Sequence, residues 1–333
     1  MRSLLSLPLF LTSALHASAL PKQPKPEPTP LEKGPLPLVI WHGLGDDYGN
    51  NGLKHIANLA QQVIPGTYVH LIHIGDSTSA DREATFLGNV TTQLEEVCAQ
   101  LASEQILSTA PAVNALGFSQ GGQFLRGYIE RCNNPPVRNL VTLGSQHNGI
   151  SSFQACSSTG DWLCKGAEAL LRLGRWSAFV QSRLVPAQYY RDPEEIDQYL
   201  AYSNFLADIN NEREVKNKTY KENLSKLNKF AMYMFEQDLT MVPKESAHFA
   251  EVNATSGVVT PLKNRTIYEE DWIGLKQLDG QGKLDFKTLP GEHMRFSDED
   301  LQKVFEEYFG PVELGDGFVA EDVRGGSQHV LSG

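Results

Sequence analysis

The sequence holds 333 residues, 41% of them hydrophobic and 21% charged, which is enough apolar side chain for a large buried core. Its 40 acidic residues outnumber 29 basic ones, and the formal net charge of −11 excludes the basic face that nucleic-acid binding requires. The length suits one large α/β domain with an insertion as well as it suits two domains.

In chain order, the first segment carries Arg2, the apolar run Leu4 to Leu11 and then Ala17-Ser18-Ala19. These are the charged, apolar and small-residue parts of a secretory signal peptide, expected over residues 1–19 and removed on export. The apolar run is too short to span a bilayer and no second long run follows, so the mature chain is expected to have no integral membrane segment. The destination is then a lysosome or vacuole, or the outside of the cell. Residues 20–36 form a proline-rich extension (Pro21, Pro24, Pro26, Pro28, Pro30, Pro35), and the folded domain is expected over 37–311. Leu38 to Trp41 reads as a buried strand ending at the glycine-punctuated His42-Gly43-Leu44-Gly45. Tyr68 to Ile74 reads as a second strand. From Arg82 to Leu101 the apolar positions recur at threes and fours, which predicts one amphipathic helix with Asn89 on its solvated face. Ala112 to Phe118, a helix from about Gly121 to Arg131, and Leu140 to Leu143 complete an alternation that implies a mainly parallel sheet with helices on both faces.

That rhythm breaks after Ile150, and residues 151–226 read as a helical insertion with no clear strand. Sheet-like sequence returns at Phe230 to Phe235. A last helix is signed by Ser297 as its cap, by Asp298, Glu299 and Asp300 in its first turn, and by Gly310-Pro311 beyond its end. Residues 312–333 read as a disordered tail. In an exported protein the four cysteines, Cys98, Cys132, Cys156 and Cys164, have the chance to pair. Sequence separation favours Cys156 with Cys164 and Cys98 with Cys132 among the three possible pairings. A zinc site is the weaker reading because no CxxC is present, and no metal is expected. Asn89, Asn217, Asn223, Asn253 and Asn264 head N-glycosylation sequons.

Gly117-Phe118-Ser119-Gln120-Gly121 matches G-x-S-x-G and sits between a predicted strand and a predicted helix, the setting that turns an ordinary serine into an exposed nucleophile. A serine hydroxyl needs a base, and the base needs an orienting acid. In the α/β-hydrolase fold the chain order is serine, acid, histidine. Asp238, just past the apolar run 230–235, is the first choice of acid, with Asp208 and Glu236 as alternatives. Beyond it stand His248, His293 and His329, of which His293, in a turn before the last helix, is the expected base. Backbone N–H groups of Gln120 and Leu44 are the expected oxyanion donors. His42 and His147 read as structural residues shaping this mouth rather than as second bases.

Three segments carry a more specific signal: Pro37 to Asp46 (PLVIWHGLGD), Ala115 to Arg126 (ALGFSQGGQFLR) and Phe205 to Asn210 (FLADIN). Together they closely resemble the lysosomal palmitoyl-protein thioesterases of the first type, over about Pro37 to Gly310 and including all four cysteines. The resemblance implies hydrolysis of the thioester joining a long-chain fatty acid to cysteine in S-acylated proteins or peptides, without metal or organic cofactor. It implies Ser119 as nucleophile, Asp238 as acid, His293 as base, Leu44 and Gln120 as oxyanion donors, the same two disulfides, and an acyl chain lying in a groove beneath the insertion. A pair of adjacent cysteines that some relatives carry near Tyr48 is absent. The rival expectations are a broad lipase or carboxylesterase using the same triad, and an inactive lipid-binding glycoprotein.

Overall fold

The computed structural model describes residues 34–153, 165 and 174–311. The expected signal peptide, the extension as far as residue 33, Cys156, Cys164, His329 and the tail from residue 312 lie outside the described residues. A central sheet is built from β1 (Leu38–Trp41), β2 (Val69–Leu71), β3 (Val113–Phe118), β4 (Val137–Leu143), β5 (Lys229–Phe235) and β6 (Leu284–Leu289). Its order is β6-β5-β4-β3-β1-β2, with every pairing parallel. Trp41 pairs with Gly117, Phe118 with Leu143 and Leu289 with Phe235, so these strands end together and the loops after them gather at one edge.

Side chains alternate across a strand, and both faces of this sheet are covered, which is why its central strands read as unbroken apolar runs. Leu38 and Ile40 join Leu116, Phe118, Val141 and Leu143 on one face, under the helices Asn51–Val63 and Asp298–Tyr308. Val39 and Trp41 join Val113, Ala115 and Leu140 on the other, under Phe124, Leu125, Tyr128 and Ile129 of the helix Gln120–Arg131. Ser297 caps the last helix in a reciprocal box with Asp300, as its sequence predicts.

The single helix expected over Arg82 to Leu101 is two, Thr78–Phe86 and Val90–Ser103. Gly88 between them has φ +129°, and Asn89 accepts the N–H groups of Thr91 and Thr92 as the cap of the second helix, so it does not lie on a solvated helix face. The break is held from the insertion: Gly88 N–H donates to the Arg183 carbonyl at 2.7 Å, while Gln188 binds the Gly88 carbonyl at 2.7 Å and the Val90 N–H at 2.9 Å.

From residue 174 the insertion is a series of short helices, Ala178–Gln181, Val185–Gln188, Ile196–Tyr202, Leu206–Ile209 and Lys218–Leu224. Its start does contain a strand, Ser152–Phe153, antiparallel to Met241–Val242. Part of the insertion lies along the helix Gln120–Arg131, where Phe205 meets Phe124 edge-on at 5.5 Å and Arg131 meets Asp208 at 2.6 Å. Another part packs Val180, Leu184 and Ala187 on Phe86, with Leu44 and Leu87 at the margin. Cys98 and Cys132 form a disulfide, their Cα atoms 6.1 Å apart, that ties the helix Val90–Ser103 to the end of the helix Gln120–Arg131.

Candidate active site

Ser119 follows β3 directly and precedes the helix Gln120–Arg131, with φ 50° and ψ −120°. A left-handed conformation at a non-glycine residue costs energy and persists only where its surroundings hold it. Here the Ser119 N–H donates to the Leu143 carbonyl at 2.8 Å. The glycines of the motif permit the close approach that the turn demands: a Cβ on Gly117 would strike the backbone of Gly122, and one on Gly121 would strike the carbonyl oxygens of Trp41 and His42.

His293 comes from the loop after β6 and Asp238 from the loop after β5. Ser119 Oγ lies 3.1 Å from His293 Nε2, and His293 Nδ1 lies 2.6 Å from Asp238 Oδ2. The Asp238 side chain is fully buried and that of His293 is 13% exposed. Asp238 Oδ1 accepts the N–H groups of Thr240 and Met241, each at 2.9 Å, so both carboxylate oxygens are engaged. A hydroxyl, an imidazole and a buried carboxylate in this order can move a proton off the hydroxyl while the carboxylate fixes the ring.

The loop after β1 runs past the hydroxyl. A methyl on Gly43 would stand 3.1 Å from Ser119 Cβ and 3.8 Å from its Oγ, which puts the Gly43-Leu44 backbone beside the serine. On the other side, the Gln120 side chain is buried and accepts the Tyr189 hydroxyl at 3.0 Å; burial raises the Tyr189 pKa and keeps it a donor.

The model of the palmitoyl protein thioesterase family matches residues 37–293. The chain belongs to the palmitoyl protein thioesterase family. It is 38% identical over 278 residues to palmitoyl-protein thioesterase 1 of Caenorhabditis elegans, covering 82% of this chain and 92% of that one. It is 35% identical over 270 residues to palmitoyl-protein thioesterase 3 of Dictyostelium discoideum, covering 81% of this chain and 89% of that one. A lysosomal thioesterase PPT2 homolog of Drosophila melanogaster is 29% identical over 262 residues, covering 77% and 85%. The chain is thus an enzyme of a hydrolase family.

In this thioesterase the described residues that were weighed as alternative acid or base, Asp208, Glu236 and His248, have other partners or face solvent. Asp208 accepts from Arg131 at 2.6 Å and from the Tyr220 hydroxyl at 2.8 Å within the insertion. Glu236 is exposed, and His248 Nε2 donates to the carbonyls of Met232 and Lys287. His147 is buried, bonded to Thr142 at 3.0 Å and stacked on Phe249, a structural role as expected. Among the sequon residues, Asn217, Asn253 and Asn264 are exposed, Asn89 is a half-buried cap, and the Asn223 amide donates to the Glu130 carbonyl at 3.1 Å. Sequence reasoning missed Asp81 and Arg126. Both are buried, and each bonds to a partner distant in the chain, Asp81 to His42 and Arg126 to Asn210. Among the described residues no helix is long and apolar enough to cross a membrane.

Proposed function

We propose that this chain removes long-chain fatty acyl groups, palmitoyl above all, from the cysteine thioesters of lipidated proteins or peptides. The observation that supports this most is the hydrogen-bond chain Ser119–His293–Asp238, at 3.1 and 2.6 Å, at the carboxyl edge of the sheet in a member of this family. His293 Nε2 takes the Ser119 proton as Oγ attacks the acyl carbonyl carbon. The N–H groups of Leu44 and Gln120 receive the oxyanion. The C–S bond then breaks, the thiolate leaves with the proton from His293, and water, deprotonated by His293, releases the fatty acid from Ser119. Leu239, 72% exposed and next to Asp238, offers apolar surface to an acyl chain, each methylene of which contributes about 0.8 kcal/mol on burial. Export through a signal peptide at residues 1–19, action in a lysosome or vacuole or outside the cell, and glycans on exposed asparagines such as Asn217, Asn253 and Asn264 belong to the same reading.

The test is hydrolysis of a palmitoyl-cysteine peptide and of the matched palmitoyl oxygen ester by wild type and by Ser119→Ala. Preference for the thioester, with loss of about 10⁴-fold or more in kcat on removing the hydroxyl, is the expected result. Turnover of the oxygen ester alone would replace the reading with a lipase, and full activity in Ser119→Ala would remove Ser119 from the mechanism.

A further inference from the structure

His42, the residue before Gly43, is buried, with Nε2 2.8 Å from Asp81 Oδ2 and Nδ1 3.1 Å from the Gly43 carbonyl oxygen. Both partners are acceptors. A neutral imidazole has one N–H and one lone pair, so either tautomer would set a lone pair against an oxygen. Only the imidazolium satisfies both contacts. Asp81 is placed as its counterion, and both of its oxygens act as acceptors, Oδ1 from the Ile74 N–H at 2.7 Å and Oδ2 from the Tyr48 N–H at 2.8 Å.

The carbonyl that His42 grips matters because of covalent geometry. Gly43 C=O and Leu44 N–H are opposite ends of one planar trans peptide, so fixing the oxygen fixes the direction of the N–H. The same oxygen accepts the Asp46 N–H at 3.3 Å. The helix Thr78–Phe86, which carries Asp81, holds the next residue as well: Arg82 Nε donates to the Gly45 carbonyl and Thr85 Oγ1 accepts the Gly45 N–H, each at 2.9 Å.

We propose that His42 is a positioning residue, held as an imidazolium by Asp81, whose Nδ1–H sets the Gly43-Leu44 peptide so that the Leu44 N–H faces the oxygen of the reacting carbonyl. This rests on the reading of Ser119 as nucleophile and supplies the oxyanion half of that site. The charged groups around the ring are Asp81 on the helix Thr78–Phe86, Asp46 in the same loop, and Arg82 reaching that loop from the helix. Burial alone lowers the His42 pKa, but the hydrogen bond and charge of Asp81, with the Gly43 carbonyl and Asp46, outweigh it and leave the value above the ordinary 6.5. The peptide is therefore set at acid pH and released as pH rises through that raised value.

Full-length protein carrying ¹⁵N-histidine tests this by NMR together with the kcat profile on a palmitoyl-cysteine peptide. Wild-type His42 should be more than half in the form with two protonated ring nitrogens at pH 6.5, the ordinary midpoint, and its own titration midpoint should match the alkaline limb of kcat to within about half a pH unit. His42→Gln should lose about 10- to 100-fold in kcat with KM changed less than about two-fold, because oxyanion donors act in the transition state. Asp81→Asn should move the alkaline limb to lower pH. A wild-type ring that carries only one proton for the most part at pH 6.5, or a limb that does not follow the His42 titration, overturns the proposal even if neither variant folds. An active Ser119→Ala would sink the nucleophile reading without changing the His42 spectrum, so the two failures are distinguishable.

Discussion

Asp238 is the residue at which a single atom change separates geometry from chemistry. Its Oδ1 faces two backbone N–H donors and its Oδ2 faces the His293 ring. In Asp238→Asn the amide oxygen has to take the Oδ1 place, since an NH₂ there would meet two N–H groups. The NH₂ then faces His293 Nδ1, which must become an acceptor, and the proton moves to Nε2 where the serine proton has to be received. The variant should fold and keep the 3.1 Å approach of serine to histidine yet lose about 10⁴-fold in kcat, the scale of a wrong tautomer in such a triad. A loss below about ten-fold in steady-state kinetics would mean that Asp238 does not orient the base. Gly121→Ala addresses the turn instead: its new methyl would collide with the Trp41 and His42 carbonyl oxygens, which are backbone and cannot swing away. Loss of soluble protein, or a steep fall in Tm by calorimetry, is the expected outcome.

Among the elements, the disulfide joins the helix Val90–Ser103 to the end of the helix that Ser119 opens. The bridge spans 34 residues, and the chain-entropy estimate for a loop of that size is about 3–4 kcal/mol. Cys98→Ala with Cys132→Ala should therefore lower unfolding stability by about that amount in urea, with the Ser119–His293 contact and kcat nearly intact at temperatures where it stays folded. The same helices show what a sequence does and does not disclose. β1, β3 and β5 were legible because strands covered on both faces are apolar runs, and the serine, acid and base proposed from motif setting and chain order are residues the fold brings within hydrogen-bond reach of one another. The break at Leu87-Gly88-Asn89 was not legible, because Arg183 and Gln188, which hold it, lie about a hundred residues away, and the apolar spacing runs on through it. β6 went unread because it is an edge strand with Phe286 part-exposed and charged residues between its apolar ones. The helix Asn51–Val63 carried readable spacing in Leu53, Ile56, Leu59 and Ala60 and a capping Asn50, but no motif drew attention to it. The pairing of His42 with Asp81 needed the fold, since nothing in either sequence neighbourhood points to the other.

On the scale of the whole molecule, Arg126 joins three parts that the chain order separates. From the helix behind Ser119 it donates to Glu130 Oε1 at 2.9 Å, to the His147 carbonyl after β4 at 3.2 Å, and to Asn210 Oδ1 of the insertion at 2.7 Å, with its guanidinium over Phe249. Two titrating groups flank this buried cation with opposite linkage. Burial, outweighing the nearby Arg126 charge, pushes Glu130 up from 4.5 to about 7, so the native state binds its proton more tightly than the unfolded chain. The stability from Glu130 is full below about 4.5 and is lost as pH rises to about 7. Burial, followed by the charges of Arg126 and His248, holds His147 well below 6.5, so the unfolded chain binds that proton more tightly, and stability is lost as pH falls below 6.5. Between about 4.5 and 6.5 the two slopes oppose each other and flatten the profile across the range from acidic to near-neutral compartments. Glu130→Gln keeps the shape and removes one slope. Unfolding free energy measured by urea titration at a series of pH values should then rise with pH more steeply in the variant than in wild type through that window. Equal slopes would mean that Glu130 does not change its proton affinity on folding, and that Arg126 holds it as an ordinary carboxylate despite its burial.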